Sequence, residues 1–298
     1  MNQRVLHSDP TRVIVDGIEI VYDTFGEPSA PPMLLVAGLG MQMIDWDEEF
    51  CRQLAAKGYW VIRFDNRDVG LSTQLNEAGV PDILALMQAQ MQGEAVEAPY
   101  LLRDMADDAA GLLHAIHAEH AHVVGVSMGG MIAQEMAIRH AECVRTMTSI
   151  MSTAGELQPP PKPEALAILL QPPPAGRTDY IEFSVTASQV LGGELPLDEA
   201  WVRENAGRVF DRGLSPAGTA RQMAAIVASG SRKEALKSVA VPALVIHGDA
   251  DPLLAVEGGI ETANAIPGAK LLIIRGMGHG LPSAVWSQVI DAIADHAV

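Results

Sequence analysis

Apolar and polar residues alternate along VIVDGIEIVYDTFG (13–26), with a break at Asp16-Gly17, so the described pattern opens on a β-hairpin. Two continuous apolar runs follow, MLLVAG (33–38) and YWVIRFD (59–65), the pattern of strands buried on both faces. A helix from about Trp46 to Ala56 separates them. In LLRDMADDAAGLLHAIHAEH (101–120), residues Leu102, Met105, Ala109, Leu112, Leu113 and Ile116 fall on one face at helical spacing. HVVGV (122–126) reads as the next strand, a helix starts near Met128, and VRTMTSIM (144–151) is a further strand.

The alternation of strands and helices then stops. Residues 152–236 hold two proline clusters, QPPPKPEA and QPPPAG, and helical segments such as DEAWVRENAGRVF. Alternation resumes with VPALVIHGD (241–249), AKLLIIRG (269–276) and a closing helix from about Ser283. The expected fold class is α/β: a mostly parallel central sheet flanked by helices, formed by residues 1–151 and 237–298 and interrupted by an inserted helical cap, 152–236.

Composition narrows the partners more than the fold. Hydrophobic residues make up 48% of the 298, enough for a sizeable core. A formal charge of −17 disfavours nucleic acid, whose phosphates need basic patches. No apolar run reaches membrane-spanning length, and MNQRVLHSDPTRVIVDG lacks the apolar centre of a signal peptide. Cys51 and Cys143 are far apart in sequence and read as reduced thiols. The expectation is therefore a cytoplasmic protein with no membrane or nucleic-acid partner; the oligomeric state is left open.

The candidate chemistry starts at Gly125-Val126-Ser127-Met128-Gly129, a G-x-S-x-G motif. From 14 serines and 27 glycines, chance supplies only about 0.1 such matches. Here the motif also ends a β-branched strand and opens a helix, as a nucleophile elbow requires. A serine hydroxyl needs a general base, and His279, between Gly278 and Gly280 just after the last strand, is the candidate. Two acids could orient that base. Asp249 directly follows its strand and could serve its own turn, whereas Asp251 lies farther out, within reach of a histidine ring. His247, still inside the strand, reads as a core or supporting residue. The backbone N–H of Met128 is one candidate oxyanion donor, and a second is expected from GLGMQ after the first buried strand.

The stretches LLVAG, DEEFCRQLA, VIRFDNRDVGLST, HVVGVSMGG, DADP and GMGHGLPS, in this order and spacing, resemble the α/β-hydrolase superfamily. Within it they are similar to the aclacinomycin methylesterase-like carboxylesterases. The resemblance implies a Ser127–His279–Asp251 triad, an oxyanion hole from the Leu39 and Met128 amides, and hydrolysis of a small-molecule carboxylic ester with no cofactor. Ala37 stands where many such enzymes carry histidine, which matters little to a backbone donor. Gly38, Met41, Gln42 and Trp46 are expected to line the substrate pocket, Trp46 being an equal candidate for core. Met43, Met128, Met131 and Met277 could add apolar wall.

Other readings share these residues. A lactonase or a carbon–carbon bond hydrolase would use the same triad, as would a cofactor-free haloperoxidase or perhydrolase; a non-catalytic ligand receptor would use the fold alone. Dehalogenation is disfavoured, since serine rather than aspartate stands at the elbow. Asp65, Arg67 and Asp68 in FDNRDVGLS read as a loop brace, and HAIHAEHAH (114–122) as a polar helix end; His114 and His117 would share a face but lack a ligand framework.

Overall fold

Asp16 and Gly17 both take positive φ, 47° and 85°, the backbone of a two-residue turn that matches the twist of its flanking strands. In the computed structural model, which describes residues 5–155 and 159–297, this turn joins β1 (Thr11–Val15) to β2 (Ile18–Phe25) as an antiparallel pair. Residues 1–4 of the opening stretch, and 156–158 of the expected cap, lie outside the described residues. The chain continues through β3 (Pro32–Val36), α1 (Glu48–Ala56), β4 (Trp60–Phe64), α2 (Ile83–Met91), α3 (Leu102–Ala115), β5 (Ala121–Val126), α4 (Met128–Arg139) and β6 (Val144–Ile150). Next come α5 (Pro163–Leu170), α6 (Arg177–Leu191), α7 (Glu199–Arg212), α8 (Pro216–Ser229) and α9 (Lys233–Leu236). The chain closes with β7 (Ala243–Gly248), α10 (Val256–Ala265), β8 (Lys270–Ile274) and α11 (Trp286–His296).

The eight strands form one sheet in the order β1-β2-β4-β3-β5-β6-β7-β8, parallel from β4 onward. Side chains of a strand point alternately to opposite faces, so an uninterrupted apolar run feeds two cores at once. Leu34, Val36, Ile62 and Val123 pack with Leu102, Met105, Ala109 and Leu112 of α3 on one face. Met33, Leu35, Val61 and Ile246 pack with Phe50 and Leu54 of α1 and Val289 and Ile293 of α11 on the other. The sheet order reverses direction between β3 and β5, and their carboxyl ends open into neighbouring loops. Such a switch point is where open α/β sheets hold their ligands.

Between β6 and β7 the described chain is helical, and its two ends meet: Arg232 N donates to Ala154 O at 2.7 Å, and the buried Arg232 guanidinium donates to Thr153 O and to Gln134. Periodicity did not reveal α2, an uncharged helix in the β4–α3 connection that packs against α8. No described helix is long and apolar enough to cross a membrane.

Candidate active site

Ser127 sits between β5 and α4 at φ 54°, ψ −120°, a conformation costly for a residue with a side chain. It persists because its surroundings leave no alternative. A Cβ on Gly125 would stand 2.0 Å from Gly129 O, and one on Gly129 would stand 2.1 Å from Val36 O. Only glycine lets strand, turn and helix approach this closely. Ser127 N donates to Ile150 O at 2.9 Å, and Ser152 Oγ donates to Ser127 O at 2.8 Å, pinning the turn from β6.

Three side chains predicted from separate parts of the sequence meet here. Ser127 Oγ lies 2.9 Å from His279 Nε2, and His279 Nδ1 lies 2.8 Å from Asp251 Oδ2. The other oxygen of Asp251 accepts from Leu253 N and Leu254 N. Burial alone would raise the Asp251 pKa; the facing His279 ring, His247 and the Leu254 amide outweigh it and hold the carboxyl well below the usual carboxylate range. An ionised Asp251 requires Nδ1 to carry the histidine proton, which leaves Nε2 free to accept from the serine hydroxyl. Asp249 is exposed and accepts from Gly276 N at 2.6 Å, so it braces the turn between β7 and β8 rather than His279. His247 is fully buried and places Nε2 2.8 Å from Leu254 O and 3.5 Å from Asp251 Oδ2. It supports the acid from beneath.

The Met128 amide opens α4, where the helix dipole favours negative charge. The Leu39 amide lies in the loop after β3. Neither donates to an acceptor among the described residues. Gly38 closes the gap between that loop and the serine, since a Cβ there would stand 3.4 Å from Ser127 Cβ and 2.8 Å from Met41 Sδ. Of the expected pocket residues, Trp46 takes the core alternative and Gln42 is placed otherwise. Trp46 is buried in the core and stacks on Phe50 at 5.7 Å. Gln42 is buried too, its amide donating to Val209 O and Gly213 O and accepting from Arg212 at the end of α7. Met43, Met128, Met131 and Met277 are core residues, which leaves half-buried Met41 as the methionine beside the site. Two cavities of about 480 Å³ open elsewhere, one bordering Asp249, Pro252, Gly193 and Arg275, the other His7, Asp23 and Arg208; Ser127 and His279 line neither.

The helical layer grips both loops of the site, a feature that no motif signals. His279 N donates to Leu191 O at 2.7 Å, Gly278 N to Gly192 O at 3.2 Å, and Glu194 N to Gly276 O at 2.8 Å. The end of α6 is thus stitched to the histidine loop, and the approach is tight enough that a Cβ on Gly278 would stand 2.2 Å from Leu191 O. The FDNRDVGLS loop braces as expected, but its partners come largely from the helices. Asp65 accepts from Met43 N at 2.7 Å and from Arg212 at 2.9 Å, Asp68 receives both arms of Arg221, and Arg67 pairs with Asp108 of α3. His114 and His117 do not share a helical face, because α3 ends at Ala115 and His117 turns to φ 57°.

Asp45 links the loop after β3 to α7, its two oxygens accepting from Gln42 N at 2.8 Å and Asn205 Nδ2 at 2.7 Å. Burial pushes its pKa up to about 6 against the pull of those hydrogen bonds. A folded pKa above the unfolded value of about 3.9 means that the native state holds the proton more tightly. Its contribution is fully present below about pH 4 and is lost as pH rises through about 6. In urea titrations across pH 4 to 7, Asp45→Asn is expected to gain on wild type over that interval and to run parallel to it above. Identical slopes would show that Asp45 is not the titrating group.

A family model described as the alpha/beta hydrolase fold matches residues 31–282. A rhodomycin D methylesterase of Streptomyces sp. strain C5 is 30% identical over 96% of this chain and 98% of its own. The rhodomycin D methylesterase of Streptomyces peucetius is 29% identical with the same coverage. Among solved structures, a meta-cleavage product hydrolase of Pseudomonas fluorescens IP01 superposes with a TM-score of 0.74, at 19% identity over 96% of both chains, and so shares the fold.

Proposed function

Because this chain belongs to the α/β-hydrolase fold family and is a carboxylic ester hydrolase, we propose that it cleaves a methyl or other small ester through an acyl-enzyme on Ser127. The observation that carries the reading is the unbroken hydrogen-bonded line from Ser127 Oγ through both nitrogens of His279 to Asp251. As Ser127 Oγ attacks the ester carbonyl, His279 Nε2 takes the hydroxyl proton, and Asp251 stabilises the imidazolium without accepting its proton. The carbonyl oxygen becomes an oxyanion, held by the Met128 and Leu39 N–H groups. The imidazolium returns its proton to the departing alcohol as the C–O bond breaks. Water then gives a proton to His279, attacks the acyl carbon, and releases the acid with Ser127 restored. Water is the only co-reactant in this sequence.

Residues 152–236 act in this reading as a cap whose helices close over the switch point and select the ester. Relatives that span the chain are named as methylesterases, so methyl esters are the first substrates to try. The test is a panel of methyl esters, short and long acyl esters, lactones and vinylogous diketones, with peracid formation from acetate and peroxide assayed in parallel. Alongside it, a fluorophosphonate is applied and the labelled peptide mapped by mass. Turnover of open esters and a single adduct within VVGVSMGGMIAQ are expected. No turnover across the panel together with no adduct would end the hydrolase reading, and preference for diketones or peroxide would redirect it.

A further inference from the structure

We propose that Gln222, on α8 of the helical excursion, is a positioning residue that holds the Leu39 amide in its oxyanion-binding orientation, an inference that rests on Ser127 being the nucleophile. Gln222 is completely buried, and both ends of its amide are used. Its Oε1 accepts from Gly40 N at 2.9 Å, and its Nε2 donates to Arg67 O at 2.8 Å. One side chain therefore ties together the loops that leave β3 and β4, across 182 and 155 residues of sequence.

The segment it holds is the one whose conformation decides where the Leu39 N–H points. Gly38 O accepts from Met41 N at 3.2 Å, so that carbonyl is turned into the loop. In a planar trans peptide the N–H lies opposite the C=O, and the Leu39 N–H consequently faces out of the turn. The turn is anchored on both sides: Asn66 Nδ2 donates to Ala37 O at 3.1 Å, and Gln222 receives Gly40 N. Gly40 sits at φ +67°, and a Cβ there would stand 3.0 Å from Thr219 Oγ1 on the same helix as Gln222. With two glycines flanking Leu39, the turn has freedom to rearrange; Gln222 fixes the Leu39–Gly40 peptide through Gly40 N, and so keeps the turn in which Gly38 O faces Met41 N and the Leu39 N–H faces outward. The α8 helix then has a part in the chemistry as well as in substrate access.

Gln222→Met keeps the side-chain length and removes both hydrogen bonds; Gln222→Glu keeps an acceptor for Gly40 N. Losing an oxyanion donor outright costs about 100- to 1,000-fold in kcat, so a donor left free to flip is expected to cost about 10- to 100-fold. For Gln222→Met we expect that loss in kcat with KM within about twofold, and the same factor lost in affinity for a trifluoromethyl ketone, which forms the tetrahedral adduct. Gln222→Glu is expected to recover most of it, and both variants should label at Ser127. Wild-type kcat in Gln222→Met, or a loss carried by KM with trifluoromethyl ketone affinity unchanged, would overturn the proposal. If Gln222→Met melts early, Gln222→Glu decides: a folded Glu variant as slow as one with no acceptor would also overturn it. Ser127→Ala is run in parallel, because activity surviving there defeats the nucleophile reading itself, whereas activity lost there but kept in Gln222→Met defeats only the positioning role.

Discussion

Ser127→Ala is expected to lower ester turnover by about a million-fold, and Asp251→Asn by about ten-thousand-fold. In the proposed mechanism the serine oxygen forms the bond to the acyl group, so its loss leaves only the amide donors and the bound geometry. The aspartate acts one step removed. Asn at 251 preserves the shape but favours the wrong histidine tautomer, with Nε2 protonated toward Ser127 and unable to take its proton. Asp249→Asn retains an acceptor for Gly276 N and is expected to stay within about tenfold of wild type, since the hydrogen bond it changes is an exposed turn contact. If the three residues act as the proposed unit, Ser127→Ala/Asp251→Asn should be no slower than Ser127→Ala alone. Single-turnover rates on a methyl ester, with circular dichroism to check the fold, make the comparison. A larger loss at Asp249 than at Asp251 would reassign the acid.

The second large effect concerns stability. Arg221 and Asp68 are 1% and 0% exposed, and they join α8 to the loop after β4 through two hydrogen bonds of 2.6 and 2.9 Å. Arg221 also donates to Gly79 O, while Asp68 accepts from Tyr100 Oη at 2.7 Å and from Leu75 N at 2.7 Å. Arg221→Met would leave the Asp68 carboxylate buried without its cation. Breaking such a pair costs about 3–5 kcal/mol, because the remaining charge stays desolvated. For a chain of this size that is a fall in Tm of about 5–8 °C. Asp68→Asn/Arg221→Met should recover much of the loss, since a neutral amide can still accept from Leu75 N with its oxygen and donate to Tyr100 Oη with its nitrogen. Asp68 also sits at φ 73°, a conformation that asparagine tolerates. Calorimetry on the single and double variants tests this. A double variant less stable than Arg221→Met would show that the uncompensated charge is not the cause.

The expected elements and the serine elbow were legible because their causes are local. Uninterrupted apolar runs such as MLLV and HVVGV can satisfy two buried faces only as central strands, and the structure places both inside the sheet. Glycines at 125 and 129 have a single steric reason in a strand-turn-helix. α2 escaped notice because ILALMQAQM is apolar around much of its circumference and shows no periodic contrast until α8 covers part of it. The placing of Gln42, and the choice between pocket and core at Trp46, escaped the sequence for a related reason. A residue near the site in sequence can still point away from it, into the core for Trp46 and toward Arg212 for Gln42.

By itself the sequence determined the α/β alternation, the elbow at Ser127, the histidine after the last strand and the short choice of acids, since periodicity and steric exclusion act within a few residues. Only the tertiary structure decided that Asp251 rather than Asp249 faces His279. It alone brought Leu191, Arg221 and Gln222 onto loops up to about 180 residues away. Those contacts are single hydrogen bonds and ion pairs between distant segments. Their existence depends on how the helical layer packs across the sheet, and no spacing along the chain records that.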